Sequence, residues 1–119
     1  MLGDREVRVQ NMVRAALVGA LLAATAGAAT AQSAVEQGQQ VFTAQKCAIC
    51  HSIAGKGNAK GVLDDVGAKL SAAEIRQWIT EAPAMAAKVK AERKPPMKTY
   101  ALPKDELDAL VAYLASLKK

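Results

Sequence analysis

Large side chains and sulfur are scarce in this 119-residue sequence, which has one Phe, one Trp, two Tyr, two Cys and one His. Each scarcity removes a class of protein. So few rings cannot fill a sizeable core. The two cysteines stand at positions 47 and 50, and a bridge between residues three apart would constrain the unfolded chain very little. A disulfide scaffold is therefore excluded. A structural zinc site needs about four ligands, and two cysteines with one histidine fall short. After Gln32 there is no internal repeat, no low-complexity linker and no stretch that alternates like a strand, which leaves an all-α chain as the expectation. Basic residues without interleaved aromatics make a poor nucleic-acid surface. A chain this small, with so few large side chains, needs a staple. With disulfides and zinc set aside, a buried cofactor is the remaining candidate.

The sequence opens with an export pattern. Asp4, Arg5, Glu6, Arg8 and Arg14 form a charged start in which arginine outnumbers acid, and no charge appears from Ala15 to Ala29. Ala29-Thr30-Ala31 then supplies the small-x-small pattern of a cleavage site. The expectation is a signal peptide over 1–31, a cut before Gln32 and a single domain over 32–119. A retained membrane anchor is the competing reading, but the apolar run is short and its side chains small. No cysteine follows it to take a lipid.

Three helices are legible beyond Gln32. Ala34, Gly38, Val41 and Phe42 share one face of a helix over about 34–45. Ser71-Ala72-Ala73-Glu74 reads as a capping box, with Leu70 and Ile75 placed for a hydrophobic staple. Ile75, Trp78, Ile79 and Ala82 make that helix's apolar face, and Pro83 is expected to stop it. A last helix starts near Pro103, has Asp105 and Glu106 in its first turn and buries Leu107, Leu110, Val111, Leu114 and Leu117. It finishes on Lys118 and Lys119, which suits the helix dipole. Residues 55–67 and 94–103, rich in glycine and proline respectively, read as ordered loops.

The chemistry is concentrated in Cys47-Ala48-Ile49-Cys50-His51, the C-x-x-C-H attachment signature of c-type haem. Two thiols at this spacing can each add to one haem vinyl group, and the next residue points an imidazole at the iron. A thioredoxin-type redox pair would sit in a βαβ unit, and no such pattern is present. The only cysteines and the only histidine of the chain fall inside this one motif, which weighs against a chance match.

From about Val35 to its end the chain resembles the class I cytochrome c family, especially the small bacterial members. The resemblance rests on Gly38-Gln39-Gln40-Val41-Phe42 before the motif and Gly55-Lys56-Gly57-Asn58 after it. Trp78-Ile79 followed by Pro83, and Leu110-Val111-Ala112-Tyr113-Leu114, complete it. It implies a small cytochrome c fold of three to four helices around one covalent haem c. It also implies that the first and last helices cross, with Gly38 and Phe42 near Leu110 and Tyr113.

An electron-transfer haem with one histidine needs a second ligand, and thioether sulfur raises the potential. After Gln32 the candidates are Met85 and Met97. In the resembled family the ligand methionine lies in a proline-containing loop before the last helix. Lys94-Pro95-Pro96-Met97-Lys98-Thr99-Tyr100 fits that description, so the resemblance favours Met97, and Met85 reads as local packing. Trp78 either fills the core beside the haem or, as in resembling proteins, offers its indole N–H to a haem propionate; the two readings are compatible. Two positions depart from the pattern. The family commonly has a proline whose carbonyl accepts a bond from the axial histidine, and Gly61 stands in that region. Pro103 occupies a position where the family often has a Ser or Thr cap.

Residues 32–119 keep 13 of the 16 basic residues and 9 of the 11 acids, a net positive charge. Lys88, Lys90, Arg93, Lys94 and Lys98 crowd the run through Met97, with Glu92 the one acid among them. This run is either a solvated loop or a surface that steers an acidic redox partner. The expectation is a periplasmic electron carrier acting between redox proteins and not itself an enzyme. It has no nucleic-acid partner and no stable membrane insertion after signal cleavage. A dedicated subunit of a sulfite- or alcohol-oxidising dehydrogenase is the alternative. A haem enzyme or gas sensor would need an open sixth position, against which Met97 argues.

Overall fold

The computed structural model describes residues 30–119. The chain divides into two units, Met1–Ser33 and Ala34–Lys119, and the second carries every candidate site residue. The export signal read over 1–31 lies, apart from its last two residues, outside the described residues. Among the described residues no helix is long and apolar enough to cross a membrane.

Helix α1 runs over 34–44 of this unit and buries the face made by Gly38, Val41 and Phe42. It ends where Lys46 turns into the left-handed region at φ 57°. A 3-10 turn over Cys47–Ile49 follows directly, so the haem motif starts where α1 stops. Helix α2 is a single turn, Val66–Lys69, pinned when the Gly67 N–H donates to the Leu117 carbonyl at 2.9 Å. Helix α3 spans Ala72–Thr80 and opens on the expected capping box: Ser71 Oγ accepts from the Glu74 N–H, and Glu74 reaches back to Ser71. Helix α4 is Ala82–Val89 and helix α5 is Lys104–Ala115. Pro103 precedes α5 without a side-chain cap bond.

Three features differ from expectation. Pro83 does not mark the end of structure. Helix α3 closes at Glu81, whose N–H donates to the Gln77 carbonyl at 2.7 Å, and Pro83 lies in the first turn of α4. There its missing N–H has no intrahelical partner to lose. The 55–67 segment holds the start of α2 and half of a hairpin. Strand β1, Ser52–Ile53, pairs antiparallel with β2, Lys56–Gly57. Two residues per strand are too few to show alternation. The last helix ends at Ala115, so Lys118 and Lys119 lie beyond it.

The core is where α1, α3 and α5 meet. Val41, Phe42, Ile75, Ile79, Leu110, Val111, Tyr113 and Leu114 form its buried cluster. Phe42 meets Tyr113 edge to face, with ring centroids 6.0 Å apart, a geometry worth about 0.5–1.5 kcal/mol beyond burial. A Cβ at Gly38 would overlap the Ala109 carbonyl and Tyr113 Cβ, so α1 crosses α5 at backbone contact. Outside the core, Asp108 on α5 receives Arg76 from α3 at 2.6 Å and Lys104 from its own helix. These two cations hold its carboxyl below the usual carboxylate range.

Candidate functional site

The site is built on one tight turn. Cys50 and His51 both donate their backbone N–H to the Cys47 carbonyl, at 3.2 and 2.9 Å, which winds the two thiols and the imidazole around a single oxygen. Neither cysteine is in a disulfide, and both are half-buried. Burial pushes the Cys47 thiol up, its own backbone hydrogen bond opposes this, Cys50 adds to the rise and Lys98 pulls it back.

His51 is oriented from behind. Its Nδ1 lies 3.1 Å from the Gly61 carbonyl. A carbonyl only accepts, so Nδ1 carries the proton and the Nε2 lone pair is left free, the tautomer a metal-ligating imidazole requires. Burial is the main influence lowering the pKa of His51; the Gly61 bond raises it and Arg93 lowers it again. The neutral ring is the ligating form.

The turn is held by a residue that the motif alone does not reveal. Asn58 donates its backbone N–H to the Ala48 and His51 carbonyls at 3.1 and 3.0 Å, and its side-chain Nδ2 to the Ile49 carbonyl at 3.1 Å. Three carbonyls of the motif are thereby tied to one asparagine. Gly57 beside it has φ +111°, a conformation that favours glycine. The turn-forming pair Gly-Asn was the available signal. Arg93, which donates Nη2 to the Cys50 carbonyl, lies 43 residues away and carries no such signal.

Trp78 and Met97 lie on separate elements. Trp78, on α3, shares a cavity of about 480 Å³ with Val62, Val66, Leu70 and Val89, among other residues. Val62 follows Gly61 directly, and Val62 and Val89 are two of the three large hydrophobic side chains left exposed among the described residues. Among the described residues the indole N–H of Trp78 has no hydrogen-bond acceptor. Met97 is half-buried in the 91–103 segment, which lacks regular structure. That segment is fixed where the Tyr100 N–H donates to the Ile79 carbonyl at 2.8 Å. Lys98 stacks over the Tyr100 ring at 5.1 Å and acts on Cys47, while burial, then Cys47 and Cys50, raise the Tyr100 pKa. No hydrogen bond joins Met97 or Trp78 to the motif. Met85 is buried under α4 at 6% exposure.

Two free thiols three residues apart and an imidazole with a free Nε2 fit a covalently held haem. No curated protein and no solved structure matches the chain. A family model described as Cytochrome c matches residues 35–118.

Proposed function

The chain belongs to the cytochrome c family, and on that premise we propose that it is an exported single-electron carrier whose haem is held by Cys47, Cys50, His51 and Met97. Covalent haem c and electron carriage belong to the family. The residue assignments, the compartment and the partner are the proposal.

The observation that carries it is the Gly61 carbonyl 3.1 Å from His51 Nδ1, which aims Nε2 outward within one turn of two free thiols. Cys47 and Cys50 would hold the haem through thioether bonds to its two vinyl groups, and His51 Nε2 would ligate its iron. Met97 supplies the second ligand from a loop that Pro95 and Pro96 stiffen, which lowers the ordering cost of holding the sulfur in place. Trp78 offers its free indole N–H to a propionate. Haem bound there supplies a one-electron iron couple. With His51 and Met97 both holding the iron, no position would be open for a substrate, so the chain would carry electrons without catalysing a reaction. Cleavage before Gln32 releases the domain into the periplasm.

The partner is an acidic redox protein. Lys88, Lys90, Arg93, Lys94 and Lys98 are all exposed around the Met97 loop, and charges of one sign on a docking face act mainly on encounter. Salt should therefore slow transfer to the physiological partner, because screening shortens from about 10 Å at 0.1 M to about 3 Å at 1 M. Replacing Lys94 and Lys98 by glutamate should reduce the association rate more than the rate within the complex. Stopped-flow rates indifferent to both salt and charge reversal would leave the run as ordinary wet surface and move docking elsewhere.

A further inference from the structure

We propose that Arg93 is a positioning residue that ties the loop carrying Met97 to the loop carrying His51. The inference rests on the axial pair assigned above.

Arg93 lies four residues before Met97, and its Nη2 donates to the Cys50 carbonyl, the residue next to His51. Its Nη1 occupies the space where a Cβ on Gly61 would stand. The same Cβ would overlap the Cys50 carbonyl and lie 2.8 Å from His51 Nδ1. Gly61 has no positive φ, so its backbone does not require glycine. The space does. One guanidinium is therefore wedged between the carbonyl of Cys50 and the residue that orients His51.

The other end of the loop is fixed independently, through the Tyr100 N–H on the Ile79 carbonyl. Met97 sits between these two anchors, with Pro95 and Pro96 in the same span. Arg93 thus holds one flank of the segment that must keep the sulfur in place. A planar fork suits this role, because two nitrogens can act on two neighbours in fixed geometry.

The test is imidazole binding to the ferric haem-loaded protein, which competes with Met97 for the iron, read beside the reduction potential. Arg93→Ala should bind imidazole about tenfold more tightly, the low end for losing a hydrogen bond from a charged donor, and its potential should fall. Arg93→Lys, which keeps a cationic donor, should fall between Arg93→Ala and the parent protein, and it carries the test if Arg93→Ala does not fold. Met97→Ala is the control. If it binds imidazole like the parent, the axial assignment falls and this inference with it. If Met97→Ala opens the site while the Arg93 variants leave affinity and potential unchanged, the inference alone is overturned.

Discussion

The Nδ1 proton of His51 is fixed by the Gly61 carbonyl, which leaves Nε2 as the ring atom with a free lone pair. The proposed second ligand is a methionine sulfur, and the two candidate methionines differ in their surroundings. Met85 is packed into α4 at 6% exposure, whereas Met97 is half-buried on a loop whose flanking Lys98 acts on Cys47. Ferric haem-loaded protein should show a weak sulfur-to-iron charge-transfer band near the red end of the visible spectrum. Met97→Ala should abolish the band and lower the potential. Met85→Ala should keep the band and cost about 2–5 kcal/mol of stability through the cavity it leaves. Loss of the band in Met85→Ala would reverse the assignment. At this scale the motif residues were legible because their spacing is local. Gly61 was legible through its place in the chain. Arg93 was not, because the contact joins residues 43 apart and a charged side chain in a basic run looks like any other.

At the scale of elements, the crossing of α1 and α5 sets where the motif begins, because the Cys47–Ile49 turn follows within three residues of the end of α1. Gly38 is the closest point of that crossing, against Ala109 and Tyr113. Gly38→Ala gains helix propensity of about 1 kcal/mol in isolation, yet its methyl would overlap backbone of α5, which does not yield as a flexible side-chain tip does. Overpacking of this kind costs about 1–3 kcal/mol, so the variant should melt at a lower temperature than the parent with an unchanged haem spectrum. Equal or higher thermal stability would show that the helices part without penalty. The three helices with a long apolar face were legible from periodicity. Helix α2 was not, since one turn has no period, and its hold on Leu117 is a long-range bond. Helix α4 was hidden because Pro83 signals both a stop and a start, and the capping geometry decides which.

The molecule as a whole has a core cluster of eight buried side chains among the described residues, small for a free-standing domain of this length. Val62 and Val89, which line the Trp78 cavity, remain exposed. At about 25 cal/mol per Å² of apolar surface removed from water, a covalently held haem would add a contribution the side chains alone do not supply. Cofactor attachment and folding are therefore expected to be coupled, and export is expected to precede both. The most direct measurement is the intact mass of the protein purified after expression with a haem-attachment system. The account predicts a chain starting at Gln32 that carries one covalent haem, retained under denaturing conditions, and that loses stable attachment when Cys47 and Cys50 are both replaced by alanine. A folded, exported chain whose mass shows no haem adduct would contradict it.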